Sequence, residues 1–196
     1  MGRPSANERK AYTRDSILDV AVRVFRERGY DGASLEHVAR RAHITKASIY
    51  YHVRSKEELL ELGVGRALDA LFGVLKEAGA SHGAHAGRVR YVVRRTIEIS
   101  IDRLPEVALL LRVRGNTSVE RRVIERRRKF DRIIAKMIAS AQREGGIRKD
   151  IEPHLATRLL FGMLNSITEW YRPAGALGAV EIADAVAKIA FGGIET

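Results

Sequence analysis

Residues 13–60 read TRDSILDVAVRVFRERGYDGASLEHVARRAHITKASIYYHVRSKEELL, and this stretch decides the fold. Apolar residues recur at helical spacing over 13–28, and Gly29 then ends the predicted helix. Two shorter helices are predicted over 34–42 and 45–52, each opening on a serine or threonine that is suited to cap it. Because only two residues separate the short helices, the spacing predicts a helix-turn-helix.

The chain beyond this stretch is predicted to be helical throughout. Ser55 and Glu58 form an S-x-x-E capping box, which predicts the start of a long bridging helix. The glycine-rich segment Gly79–Gly87 predicts the loop that ends this helix. Five further helices are predicted over 88–103, 105–114, 118–144, 152–171 and 180–191. The predicted fold class is all-α with about nine helices, divided into a three-helix helix-turn-helix domain over 1–56 and a C-terminal helical domain over 57–196.

The composition favours a polyanionic partner. Lys and Arg total 35 against 24 Asp and Glu, which gives a formal net charge of +11 and a pI near 10.3. The basic excess is denser in the first 56 residues than in the rest of the chain. The absence of cysteine excludes disulfides, thiolate metal sites and cysteine nucleophiles. With no secretory signal pattern and no apolar run near the ~20 residues of a membrane helix, a cytoplasmic location and no membrane partner are expected.

The residues of the helix-turn-helix stretch resemble the DNA-binding region of the TetR family of regulators. Two positions depart from the family pattern: His43 stands where the family usually has Gly, and Val53 stands where it usually has Phe. His43 is expected to tolerate the left-handed backbone that a glycine would adopt in this turn. The resemblance covers about 50 residues and is carried by Ile17, Ala21, Phe25, Gly29-Tyr30, Ser34-Leu35, Val38-Ala39, Ala42, Ile44-Thr45, Ile49-Tyr50, His52, Ser55-Lys56-Glu57 and Leu59.

The outer face of the helix over 45–52 is predicted to enter a DNA major groove. Lys46 is the candidate for a base contact such as guanine O6/N7, and Ala47 or Ser48 would lie close enough for thymine-methyl or hydrogen-bond contacts. Arg3, Arg9 and Lys10 extend a basic arm ahead of the first helix. The alternative, in which the tyrosines cover a small core and the basic residues are merely solvated, stays open. The predicted DNA-contacting residues are Arg14, Ser34, Thr45, Lys46, Ala47, Ser48, Tyr50, Tyr51, His52 and Lys56, the last four chiefly through phosphates.

In proteins that resemble TetR, the last two helices form a four-helix bundle across a two-fold axis, which implies a homodimer here. Small and apolar residues at helical spacing in 152–191 suit such packing, although the core of a single chain would explain them equally. The predicted interface residues are Leu155, Leu159, Gly162, Met163, Ser166, Ile182, Val186, Ile189 and Ala190.

The resemblance also implies an effector pocket enclosed by the middle helices. Its predicted lining is largely apolar with a few polar groups, as pockets generally are, although core packing stays open for each residue alone. The string NSITEWYRPAG over 165–175 looks like the corresponding segment of the TetR-family members that sense acyl-CoA thioesters. The predicted effector-binding residues are Thr96, Ile97, Leu110, Leu111, Phe130, Phe161, Asn165, Glu169 and Trp170.

No residue pattern indicates catalysis, a cofactor or a metal site. His82 and His85 have H-x-x-H spacing, but the surrounding Gly/Ala segment supplies no further ligand. The basic run over 121–129 is interpreted as a solvated helix face, with a second patch for DNA or an anionic ligand as the alternative. Together with the resemblance to TetR-family regulators, the sequence predicts a regulator that binds a palindromic double-stranded DNA operator; the resemblance implies that it is a homodimer released by a small-molecule effector, such as an acyl-CoA thioester. A non-specific architectural DNA-binding protein is the first alternative, and a small helical enzyme is the second.

Overall fold

The computed structural model describes residues 13–192, which contain ten α-helices and no strand. The all-α prediction is confirmed, and the helix count exceeds the predicted nine by one short helix. Within these residues the chain divides into two compact units after Gly63, which we call the N-terminal unit and the C-terminal unit. The helices are α1 (Arg14–Arg28), α2 (Leu35–Ala42), α3 (Lys46–His52), α4 (Lys56–Val74), α5 (Ala78–Ser81), α6 (His85–Asp102), α7 (Leu104–Arg112), α8 (Ser118–Arg143), α9 (Pro153–Trp170) and α10 (Ala179–Gly192).

The N-terminal unit is built around apolar side chains from each of its helices. Helix α1 packs against α2, and α2 packs against α3. Ile17, Phe25, Val38 and Ile49 have no solvent exposure. Phe25 also packs edge-on against Tyr30, with ring centroids 5.3 Å apart, so the end of α1 is anchored to the loop that follows it.

Helices α1, α2 and α3 begin on the capping residues that the sequence predicts. The hydroxyls of Thr13, Ser34 and Thr45 each accept a hydrogen bond from the backbone N–H three residues later. Between α2 and α3, His43 adopts a left-handed conformation with φ 56° and ψ 38°, as expected for the position where the family has glycine.

The capping box predicted at the start of α4 forms only in part. The hydroxyl of Ser55 accepts from the backbone N–H of Glu58 at 3.2 Å, as predicted. The Glu58 carboxylate does not return the bond to Ser55, because it accepts from the backbone N–H of Arg54 at 2.6 Å. That hydrogen bond is the largest cause that holds the pKa of Glu58 below its ordinary value.

The C-terminal unit packs around α6, which contacts α8, α9 and α10. Its core includes Val92, Ile97, Ile134 and Leu164, none of which is more than 1 % exposed. These side chains come from three helices that are far apart in the sequence, so the core depends on long-range packing.

The loop predicted over Gly79–Gly87 is wrong at both of its ends. The single-turn helix α5 occupies Ala78–Ser81, and α6 already begins at His85. The start of α6 is stabilised from a distance, since the Glu144 carboxylate accepts from the backbone N–H of His85 at 3.0 Å and contacts its ring Nδ1 at 2.5 Å. The first turn of α6, which lies in a Gly/Ala segment, is therefore capped by a residue remote in the sequence.

Candidate nucleic-acid interface and ligand cavity

Helix α3 presents one face to the core of the N-terminal unit and the opposite face to solvent. Ile49 is buried within the helix and Val53 is buried directly after it. On the other face, Lys46 and Ala47 are exposed, and the Tyr51 side chain is 89 % exposed. This division follows the 3.6-residue period of the helix, and the exposed face belongs to a single α-helix, which a DNA major groove can admit.

Aromatic contacts orient the exposed side chains of α3. The Lys46 ammonium lies 5.8 Å from the ring centroid of Tyr50, which is itself half exposed. The Tyr51 and His52 rings pack edge-on with centroids 5.4 Å apart. These contacts remain on the surface, so the phenol and imidazole groups stay accessible to a partner.

The hydroxyl groups predicted to contact DNA are already used as helix caps. Thr45 Oγ1 accepts from the Ser48 backbone N–H and lies 2.8 Å from Ser48 Oγ. Ser34 takes part in a reciprocal capping box, because the ring Nδ1 of His37 accepts from the Ser34 backbone N–H at 3.2 Å. A capping hydroxyl oxygen still carries a hydrogen that it can donate to an acceptor.

Two of the basic residues predicted to contact DNA bond to other groups of the N-terminal unit. The Lys56 ammonium donates to the backbone carbonyls of Tyr30 and Ala33, both at 2.9 Å, and lies 4.3 Å from the Tyr30 ring centroid. Arg14 pairs with the Glu58 carboxylate at 2.7 Å. Lys56 therefore secures the turn after α1 with two of its three N–H donors. Arg3, Arg9 and Lys10 lie outside the described residues.

A cavity of about 540 Å³ lies within the C-terminal unit. Seven of the nine predicted effector residues line it. Ile97 is instead buried in the core, and Trp170, at the end of α9, is half exposed and does not line the cavity. The lining comprises Leu68, Leu71, Thr96, Ser100, Val107, Leu110, Leu111, Arg127, Phe130, Asp131, Thr157, Arg158, Phe161, Asn165, Ser166, Thr168 and Glu169.

The cavity wall carries charged residues that sequence reasoning missed. Arg127, Asp131 and Arg158 lie on α8 and α9, where a charged residue reads as part of a solvated face. Burial raises the pKa of the Asp131 carboxyl, while Arg127, Arg132 and Arg158 act in the opposite direction. The cavity thus combines apolar walls with both signs of charge.

The residues predicted for a dimer interface fall into two groups. Leu155 and Leu159 on α9 and Ile189 on α10 are 49 %, 60 % and 68 % exposed. Gly162 and Ser166 are exposed on the same side of α9 as the two leucines, and Met163 is partly buried against the core. Ile182, Val186 and Ala190 belong to the core of the single chain, because α10 turns their side chains toward α6 and α9.

The two histidines of the H-x-x-H pair have separate local partners. The His82 ring Nδ1 lies 3.0 Å from the Ser81 hydroxyl, whereas His85 contacts Glu144. Across residues 13–192 no group of three or more His, Cys, Asp or Glu side chains is arranged to hold a metal ion. None of the helices in the same range is both long and apolar enough to cross a membrane.

Comparison with family models gives a match to each part of the chain. Residues 17–62 match a model described as bacterial regulatory proteins of the tetR family. Residues 82–194 match a model of the tetracyclin repressor-like C-terminal domain. The first match covers most of α1 and all of α2 and α3, and the second covers α6 to α10. The matches confirm the resemblance inferred from the sequence.

Several known proteins are similar over nearly the full chain. A TetR-family regulator from Streptomyces coelicolor A3 is 53 % identical, with a TM-score of 0.87 over 95 % of this chain and 94 % of that one. The HTH-type transcriptional repressor KstR2 of Mycolicibacterium smegmatis is 25 % identical over 97 % of this chain and 95 % of its own length. AibR, solved with isovaleryl coenzyme A and operator DNA, is 25 % identical, with a TM-score of 0.79 over 91 % of this chain and 97 % of that one. The chain therefore belongs to the TetR family of bacterial transcriptional regulators.

Proposed function

We propose that this regulator is a cytoplasmic repressor, not an enzyme, that binds a palindromic operator as a homodimer and leaves the DNA when an acyl-CoA thioester enters the cavity. The observation that carries the proposal is the combination, in one chain, of the exposed face of α3 and a cavity of about 540 Å³. Two relatives support it, since one is named as a repressor and another was solved with an acyl-CoA and operator DNA. A ligand that favours one conformation over another shifts the population between them, and this can separate a repressor from its operator.

The chemistry of the cavity supports a thioester effector. Leu68, Leu110 and Phe130 offer an apolar surface for an acyl chain. Arg127 and Arg158 supply guanidinium groups in the same wall, and guanidinium groups bind phosphate oxygens well. Coenzyme A carries phosphates at one end and the acyl group at the other, so it complements both parts of the wall.

The exposed face of α3 supports direct reading of DNA bases. We expect Lys46→Ala to change the preferred bases at one operator position by about 1–3 kcal/mol, because a lysine contact to guanine would be lost. Lys56→Ala is expected to act differently, since it leaves the carbonyls of Tyr30 and Ala33 without their donor. Binding titrations on a panel of duplexes, together with unfolding curves of each variant, distinguish the two roles.

The exposed apolar side of α9 and α10 supports a dimer. A Cβ atom at the exposed Gly162 would meet no atom of another part of its chain within 4 Å, so Gly162→Arg should leave the fold intact and block close approach of a second copy. Lys136→Glu, at an exposed position of α8, is the control. If Gly162→Arg remains a dimer in sedimentation experiments at micromolar concentration, the interface lies elsewhere.

The test of the proposal is selection of operator duplexes from a random pool, followed by titration with acyl-CoA thioesters of increasing chain length. We expect the selected sequences to be palindromic and the thioesters, but not free coenzyme A, to release them. A strong salt dependence without sequence preference would instead indicate an architectural DNA-binding protein. Selected operators that no thioester releases would contradict the proposed effector.

A further inference from the structure

Several polar side chains in the cavity wall make no hydrogen bond within residues 13–192, and three of these are buried or half-buried. They are the hydroxyl of Thr96, the carboxylate of Asp131 and the side-chain amide of Asn165. They belong to α6, α8 and α9 respectively, so three separate helices each contribute one such group to the same cavity. Polar groups that converge on an otherwise apolar wall are the usual means by which a pocket fixes the orientation of its ligand.

Two further hydroxyls in the wall show that the lack of a partner is not a general feature of these helices. Ser100 donates to the backbone carbonyl of Thr96 at 2.7 Å, and Thr157 donates to that of Pro153 at 2.8 Å. Both bonds are the ordinary link from a helical hydroxyl to the carbonyl four residues earlier. Thr96, at only 3 % exposure, makes no such bond.

A buried polar group without a partner is unfavourable unless something else supplies one. Nearly all buried polar atoms in proteins are hydrogen-bonded, so an exception calls for a specific explanation. Burial also raises the pKa of Asp131, which reflects the same cost for its carboxylate. Of the three, only the Thr96 hydroxyl is fully buried, so a ligand polar atom would remove this cost there and would replace solvent as the partner of Asp131 and Asn165.

We propose that Thr96, Asp131 and Asn165 form a recognition site for a hydroxyl group on the acyl part of the thioester. An ionised carboxylate only accepts hydrogen bonds, whereas the Asn165 amide and the Thr96 hydroxyl can donate them. A hydroxyl both donates and accepts, so it can bond Asp131 and one of the donors at once. Threonine in a helix has two accessible χ1 rotamers, and its hydroxyl can turn toward a ligand without displacement of α6.

The inference rests on the proposed function and narrows its effector to hydroxyacyl thioesters. A fully saturated chain would leave the buried Thr96 hydroxyl without a partner and would offer no polar atom to Asp131 and Asn165, which lowers its affinity. The site therefore selects by the acyl group, separately from any attraction between the coenzyme phosphates and the arginines.

The experiment compares a saturated acyl-CoA with hydroxyacyl-CoAs of the same chain length that carry the hydroxyl at successive positions. Calorimetry measures the affinity of the full-length protein for each thioester. We expect at least one hydroxyacyl-CoA to bind about tenfold or more tightly than the saturated one, which corresponds to one hydrogen bond of ordinary strength. The near-isosteric variants Thr96→Val and Asn165→Leu should each reduce that ratio and leave the affinity for the saturated thioester equal or higher.

The matched controls are Ser100→Ala and Thr157→Val, which remove hydroxyls that are bonded to their own helices. Both are expected to retain the wild-type ratio. The inference is overturned, with the proposed function intact, if all the thioesters bind equally and release operator equally in the wild type and in Thr96→Val. If no thioester binds at all, both the inference and the proposed effector fail.

Discussion

Helices α1 to α3 of the N-terminal unit are capped by side chains of the residues that directly precede them, whereas several helices of the C-terminal unit are not. Hydroxyls of Thr13, Ser34 and Thr45 cap α1, α2 and α3. By contrast, the residues that precede α5, α6 and α7 make no side-chain cap hydrogen bond, and α6 receives its capping bond from Glu144, 59 positions away. The N-terminal unit is therefore specified by local signals to a greater degree than the C-terminal unit is.

The same contrast applies to the functional surfaces. The candidate DNA contacts lie mostly on one short exposed helix, so their spacing in the sequence already places them on one face. The cavity instead gathers residues from five helices between Leu68 and Glu169, and only tertiary packing brings them together. A surface that contacts DNA can be formed by residues close together in the sequence, whereas a site that encloses a small molecule needs residues from several helices.

Loss of core packing in the N-terminal unit is expected to have the largest effect on stability. Phe25 is fully buried and packs against Tyr30, so Phe25→Ala should lower the free energy of unfolding by about 3–5 kcal/mol and abolish DNA binding. Chemical denaturation followed by circular dichroism measures the change. Arg23→Ala, at an exposed position of the same helix, is the control. A loss below 1 kcal/mol in Phe25→Ala would mean that local caps, not the core, maintain this unit.

The second prediction concerns loss of a local helix cap. Thr45→Ala should lower the free energy of unfolding by about 1 kcal/mol, because the Ser48 backbone N–H loses its acceptor at the start of α3. Thr45→Ser keeps the hydroxyl and should keep most of the stability. Equal melting curves for Thr45→Ala and Thr45→Ser would show that the cap has no stabilising role.

The third prediction concerns loss of the remote cap at Glu144. Its effect on the free energy of unfolding should be the smallest, because the Glu144 carboxylate is partly exposed. The backbone N–H and the ring of His85 hold the pKa of Glu144 below its ordinary value of 4.5. A carboxyl with a lowered folded pKa contributes stability above its unfolded pKa and loses that contribution as the pH falls through the folded value. Glu144→Gln should therefore be less stable than the wild type at neutral pH, and the difference should disappear below the folded pKa of Glu144.

Thermal unfolding of both proteins across this pH range measures the effect. Constant separation of the two melting temperatures from neutral to strongly acidic pH would contradict a role for the ionised carboxylate. If acidification destabilises the wild type but not Glu144→Gln, the ionised carboxylate of Glu144 stabilises the start of α6.

The sequence predicted those elements whose signals are local. Nine of the ten helices in the described residues follow from apolar periodicity and from capping residues such as Ser34 and Thr45. Helix α5 was missed because its Gly/Ala composition is typical of a loop. The box at Ser55 formed only in part, because Glu58 found closer partners in Arg54 and Arg14.

The candidate cavity was predictable in part, because periodicity shows that a face is buried without showing what covers it. Ile97 and Phe130 have the same apolar signature, yet only Phe130 lines the cavity. The same ambiguity placed Ile182 among the interface candidates, although it packs within its own chain. Asp131 was missed for another reason: it follows the basic run over 121–129, and a charged residue there is interpreted as solvated unless the packing of its neighbours is known.

In the proposed mechanism, one ligand couples the cavity to the exposed face of α3. Thermodynamic linkage requires that operator DNA weaken ligand binding by the same factor by which ligand weakens operator binding. Both factors are obtained from one set of proteins: calorimetry of the acyl-CoA with and without selected operator, and operator titrations with and without the acyl-CoA. We expect equal factors of about 5–150, which correspond to a coupling free energy of ~1–3 kcal/mol. Ligand binding that is tight but unchanged by saturating operator would contradict the proposed mechanism.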